Sequence, residues 1–127
     1  MNDERGMMNR GGPFDLVLRT RSFALRIVRL YAALPKSTEA QVIGKQLLRS
    51  GTSVGAHYRE AKRSRSNAEF ISKVEGGLQE LEETMYWLEL LTDSGILKEK
   101  RLTDIRQEAN ELAAILVASV KTVKRRR

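Results

Sequence analysis

Cysteine is absent from this 127-residue chain, which excludes disulfides, thiolate nucleophiles and thiolate metal sites and leaves a reducing, cytosolic location as the expectation. Only two prolines, Pro13 and Pro35, and 6% aromatic residues are present, a shortage that suits helices better than sheets. The single histidine, His57, cannot supply the paired Glu-x-x-His motifs of a di-metal bundle. No apolar run approaches the roughly 18 residues needed to cross a bilayer, so no membrane association is expected. The stretch Met1 to Gly12 lacks the apolar segment of a secretory signal. Residues 1–13 therefore read as a disordered lead, and 14–127 as one domain ending in a basic tail.

What the chain does contain is helical periodicity. Val17, Thr20, Ala24, Ile27, Tyr31 and Leu34 recur at spacings of three and four, with Leu16, Phe23 and Leu30 one step aside, which predicts a first helix over about 14–34, stopped by Pro35. A Thr38/Gln41 capping box predicts the start of a second helix over about 38–64, with the stripe Ile43, Leu47, Ser50, Val54 and Ala61. A second box, Ser66/Glu69, opens a third helix over about 67–94, where Ile71, Val74, Leu78, Leu81, Met85 and Leu88 form a heptad-like seam, Phe70 and Leu91 broaden it, and Gly95 stands at the C-terminal cap. Leu102, Ile105, Ala109, Leu112, Leu116, Ser119 and Val123 repeat the seam in a fourth helix over about 99–124. Short connections between long helices force antiparallel neighbours, so the expected fold is all-α, an up-down-up-down four-helix bundle.

The net charge of +7 is unevenly spread. Residues 66–97 carry one basic and seven acidic side chains, whereas 98–127 carry nine basic and four acidic and 37–65 carry six and two. Two basic clusters stand out: Arg59, Lys62, Arg63 and Arg65, and the tail Lys121, Lys124, Arg125, Arg126 and Arg127. Either can neutralise phosphates without reading sequence, although no aromatic residue interleaves with them to stack bases; the bland alternative is a solvated face or, for the tail, complementation of the helix C-terminus. Tyr86 and Trp87 stand on the acidic third helix and read as core or interface anchors. The acids of that helix, Glu69, Glu75, Glu80, Glu82, Glu83, Glu89 and Asp93, are a natural complement to the basic second helix of a neighbouring subunit.

Two other features invite chemistry. His57 and Glu60, three residues apart, would share a helical face as a base and its orienting acid, but the spacing occurs once and in the wrong order for a di-metal site; no metal and no cofactor are expected. The segment Gly51 to Gly55 resembles a phosphate loop only in its glycines, since the Gly-Lys-Ser/Thr ending is missing and a helical pattern precedes it. It reads instead as a small-residue surface, where each glycine costs roughly 1 kcal/mol of helix propensity that the close approach of another helix must offset.

The stretch Gln46-Leu-Leu-Arg-Ser-Gly-Thr-Ser-Val-Gly-Ala-His-Tyr-Arg-Glu-Ala61, then Ser66-x-x-Glu69-Phe70 and Gly77-Leu-Gln-Glu-Leu-Glu-Glu83, resembles a family of small four-helix bundle proteins. That family includes the proteins encoded in 23S rRNA intervening sequences, and the accessory variability protein of diversity-generating retroelements is similar to it. The resemblance implies a homopentameric, barrel-like ring, no enzymatic activity and, in some relatives, basic surfaces that bind nucleic acid or a reverse transcriptase. Family members usually have asparagine at the place of His57 and commonly glycine at that of Ala61. The expected function is a non-enzymatic, oligomeric binding protein that associates with RNA or DNA through basic surfaces. The alternatives are a protein-interaction scaffold or accessory subunit, for example of a reverse transcriptase, and more distantly an acid-base or metal site at His57 and Glu60.

Overall fold

The computed structural model describes residues 15–126 and comprises four helices and one short 3-10 turn, with no strand among these residues. Helix α1 is Leu16–Ala32, α2 Thr38–Lys62, α3 Asn67–Asp93 and α4 Thr103–Arg125, with the 3-10 turn at Glu99–Arg101. Each helix packs on its neighbour in the chain, α2 against α3 most extensively, and α4 returns to α1 to close the bundle. None of the described helices is long and apolar enough to cross a membrane. The expected lead over 1–13, Phe14 at the predicted start of the first helix, and Arg127 lie outside the described residues.

The boundaries follow local chemistry. Asp15 caps α1, its Oδ1 accepting from the Leu18 amide at 3.2 Å, and the helix ends at Ala32 because Leu34, ahead of Pro35, is disfavoured in helical geometry. The Thr38/Gln41 box is not formed. Ser37, in extended backbone, is the cap, accepting from the Ala40 amide at 3.3 Å, and Thr38 is already the first helical residue. Gln41 ties down the preceding loop instead, donating to the Pro35 carbonyl at 2.9 Å and accepting from the Tyr31 hydroxyl at 3.1 Å. Ser66 does cap α3, accepting from the Glu69 amide at 3.0 Å, while the Glu69 carboxylate reaches back to the Arg65 amide, one residue before the cap, at 3.0 Å. At the other end of α3, Gly95 adopts φ +79°, which a side chain would strain, and the Gly95 and Leu97 amides bond the Thr92 and Leu91 carbonyls. The fourth helix starts later than its periodicity suggested because Lys98 is extended and Glu99–Arg101 winds as 3-10 helix before α4 begins.

Phe23, Ile27, Leu47, Val54, Val74, Leu81, Leu88, Leu91, Leu102, Leu112 and Leu116 form the fully enclosed core. The predicted stripes are rotated in places. In α1, Leu16 and Phe23 are buried whereas Val17, Ala24 and Tyr31 are half-exposed. In α3, Gly77 and Thr84 are buried whereas Leu78 and Met85 are only partly so; Leu91 is buried as predicted. A single heptad seam describes contact with one partner, but α3 is flanked by both α2 and α4 and buries a wider arc.

Helix α2 carries small residues on two sides. A Cβ built on Gly51 would stand 2.8 Å from Ile27 Cγ1 and 2.9 Å from Cγ2, and one on Gly55 would stand 3.1 Å from Thr20 Oγ1, so both glycines admit α1 to close range. Towards α3, Ser50 and Thr84 are completely buried with their hydroxyl oxygens 2.9 Å apart. Ser50 passes its own proton to the Leu47 carbonyl at 3.3 Å, so the pair leaves no orphaned hydroxyl.

Gly51→Ala should lower unfolding free energy by about 1–2 kcal/mol in urea titration, since overpacking against Ile27 exceeds the roughly 1 kcal/mol gain in helix propensity. Ile27→Ala removes both γ-carbons that the new methyl would meet, so the G51A loss measured in that background should shrink; a G51A protein as stable as the parent would contradict the close packing. Thr84→Val and Ser50→Ala should each cost about 1–2 kcal/mol, and the double variant less than their sum. Strict additivity in that cycle would mean the two hydroxyls do not interact.

Candidate nucleic-acid interface

Arg59 and Lys62 occupy the last turns of α2, Arg63 its C-cap and Arg65 the link to α3, all exposed. Lys121, Lys124 and Arg125 end α4 and Arg126 caps it, again exposed. Alternating helix direction brings the end of α2, the start of α3 and the end of α4 to one end of the bundle. Two contacts confirm this. Lys124 Nζ lies 3.9 Å from Glu75 Oε2 on α3, and Val123 of α4 lines one cleft together with Ala61, Lys62, Ser64, Arg65, Ser66, Asn67 and Phe70. Two basic runs separated by more than half of the chain's second half are thus one surface.

The acids at this end are already engaged. Glu60 pairs with Lys73 at 2.9 Å, and that hydrogen bond holds its carboxyl below the usual carboxylate range. Glu69 accepts from the Arg65 amide, and Glu75 faces Lys124. Among the described residues, Arg59, Lys62, Arg63, Arg65, Lys121, Arg125 and Arg126 make no ion pair with one another's acidic neighbours, so their charge faces solvent. The cleft that Lys62 and Arg65 line measures about 390 Å³, within the range of small-ligand sites, and is open to solvent. Phe70 is half-buried there, its ring also packed on the core. The Ser64 Oγ is buried without a hydrogen-bond partner.

His57 and Glu60 do not form the unit their spacing suggested. Lys73 of α3 takes the Glu60 carboxylate, while the His57 ring lies under Gly76, where a Cβ would stand 3.0 Å from Nδ1, and turns Nε2 towards Glu80 Oε2 at 3.9 Å. The His57 Nδ1 is buried and unpartnered. No group of three or more metal-ligating side chains occurs among the described residues. Gly51 and Gly55 lie inside an unbroken helix against α1, a packing surface and not a phosphate loop.

Several acids of α3 are neutralised within the chain. Arg49 of α2 bonds Glu80 at 3.1 Å and also Glu83, and Glu83 accepts from Trp87 Nε1 at 3.0 Å. The Arg49 hydrogen bond and then that of Trp87 pull the Glu83 carboxyl below its ordinary range. Trp87 is half-buried and Tyr86 exposed, their rings 5.0 Å apart in an edge-on arrangement. Glu82, Glu89 and Asp93 remain exposed. Across the α1–α4 seam, Arg19 bonds Glu108 at 2.8 Å and Glu111 at 2.7 Å, which raises the guanidinium further above its ordinary value.

Linear reading missed the cleft itself. Phe70 was counted with the third-helix seam, and Ser64, Asn67 and Val123 carried no signal that they would converge, since each belongs to a different segment. The nearest hint was an aromatic residue four positions after the cap Ser66, just beyond a basic run.

The family model described as 23S rRNA-intervening sequence protein matches residues 14–118. Among solved structures, the chain is similar to a crystal structure from Bacteroides thetaiotaomicron described as a protein with unknown function from the S23 ribosomal protein family, with TM-score 0.79 and 39% identity over 84% of this chain and 98% of that one. Comparison with curated proteins finds no match. The family match covers α1, α2 and α3 and reaches residue 118 within α4, and the chain belongs to the 23S rRNA-intervening sequence protein family.

Proposed function

We propose that this protein is a non-enzymatic nucleic-acid-binding protein that holds the phosphate backbone of RNA or DNA at the basic end of the bundle. The observation that supports this most is the convergence of Arg59, Lys62, Arg63 and Arg65 with Lys121, Lys124, Arg125 and Arg126, from separate helices, at one end of the bundle, where Lys62 and Arg65 line an open cleft. Clustered cations that face solvent displace condensed counterions from a polyanion, and the entropy of their release favours binding. The helix C-termini beneath them offset only part of that charge.

Self-association belongs to the same proposal. Leu18, 59% exposed, and Leu25 and Val28 on the same outward side of α1 supply apolar surface for a subunit contact. A homopentameric ring would gather several basic ends and multiply backbone contacts.

Affinity for a labelled oligonucleotide should fall log-linearly with salt, by about 0.7 to 0.9 in slope per phosphate neutralised. Replacing Arg59, Lys62, Arg63 and Arg65 with alanine should weaken binding at least about tenfold at low salt and reduce that slope by about two to four, while Arg21→Ala with Arg29→Ala, on exposed α1 surface, should change neither. Binding without a salt slope, or equal loss in both variants, would refute the assignment.

Light scattering on the full chain should give a mass several times 14.4 kDa, and Leu18→Asp with Leu25→Asp should return it to the monomer value. A monomeric parent would remove the ring. If instead the four-alanine basic variant breaks the oligomer and leaves nucleic-acid affinity intact, the scaffold reading takes over, with the basic residues as subunit contacts and a protein such as a reverse transcriptase as the partner.

A further inference from the structure

The lining of the cleft at the basic end combines two chemistries. Lys62 and Arg65 contribute cations and Ser64, Ser66 and Asn67 polar side chains, while Phe70, Val123 and Ala61 contribute apolar surface. A purely electrostatic docking surface needs no apolar lining, because phosphates gain nothing from an aromatic ring. A nucleotide presents both chemistries at once, an anionic phosphate and a flat apolar face. Duplex nucleic acid keeps its base faces stacked inside the helix, so only an unpaired base can reach Phe70.

We propose that this cleft is a pocket for one nucleotide of single-stranded nucleic acid, with the base over Phe70 and Val123 and the flanking phosphates on Lys62 and Arg65. The inference rests on the nucleic-acid reading above and narrows it to unpaired strands. Ser64, another lining residue, has a buried Oγ with no partner among the described residues. Ser66 and Asn67 differ in availability. Ser66 Oγ is occupied by the Glu69 amide, whereas the Asn67 side chain is exposed and makes no side-chain hydrogen bond among the described residues, leaving it able to meet a base edge. The volume of about 390 Å³ suits one nucleotide and not a folded protein segment.

The test uses the full chain and three fluorescent probes of equal length: a mixed-sequence single strand, the matching duplex, and a single strand with abasic sites that retains every phosphate. The intact single strand should bind at least about fivefold more tightly than the abasic strand, the scale expected for one stacked base. It should also bind more tightly than the duplex. Phe70→Leu should weaken the intact strand by a similar factor without changing the salt slope or the affinity for the abasic strand, and Phe70→Tyr should retain binding. Lys62→Ala with Arg65→Ala should weaken all three probes and lower the slope.

Equal affinity for intact and abasic strands overturns the pocket while leaving the backbone-binding function standing, and needs no variant to fold. A preference for the duplex overturns it as well. Competition by polyglutamate as strong as by the intact single strand would mean a simple anion surface and would also sink the pocket. Failure of every probe to bind at low salt removes the broader function too, so the two failures are distinguishable.

Discussion

The contact on which the rest of the structure depends is the close approach of α2 to both of its neighbours. On one side Gly51 and Gly55 let Ile27 and Thr20 of α1 come within reach of the α2 backbone. On the other, Ser50 meets Thr84 and a Cβ on Gly77 would touch the Val54 carbonyl at 3.5 Å, so α3 is drawn in as tightly. A helix with this many small residues would be marginal in isolation. Here the glycines are offset by dispersion contacts that larger side chains would hold apart. Because α2 is pinned along its length, the place where it ends is fixed, and with it the position of Arg59 to Arg65 beside the start of α3.

Charge is organised around the same element. Arg49 is spent on Glu80 and Glu83, and Lys73 on Glu60, so the middle of the α2–α3 face is locally neutral. These are exposed pairs whose contribution to stability is small, but they orient side chains and remove acids from competition. The consequence is a gradient along the bundle. Its middle is balanced, and the end bearing the α2–α3 link and the α4 terminus keeps exposed cations. Glu80 and Glu83 of the acidic third helix are thus paired within the chain, whereas Glu82, Glu89 and Asp93 stay outward.

Much of the fold was legible because helices record their buried side in a period of 3.6 residues and their ends in a few side chains. Ser66 and Glu69 marked the start of α3, and Gly95 its end, through local hydrogen bonds that involve only near neighbours in sequence. Local signals also failed locally. Thr38 and Ser37 are both competent caps, and which of them serves depends on where the chain leaves Pro35, a choice coupled to the Gln41 and Tyr31 hydrogen bonds. Val17, Ala24 and Tyr31 shared a stripe with buried residues but lie at its edge, because the arc that α1 buries is set by two neighbours and not by its own period.

By itself the sequence determined the helical class, the number of helices, the small-residue character of α2 and the two basic clusters, all of which are properties of residues close together in the chain. Only the tertiary structure decided that those clusters share one end, that Glu60 turns to Lys73 and His57 to Glu80, and that Phe70 and Val123 line one cleft with Lys62 and Arg65. The physical reason is that these relations join residues on different helices. They depend on helix direction, rotation and offset, which arise from packing α2 against α1 and α3 and are written in no single segment.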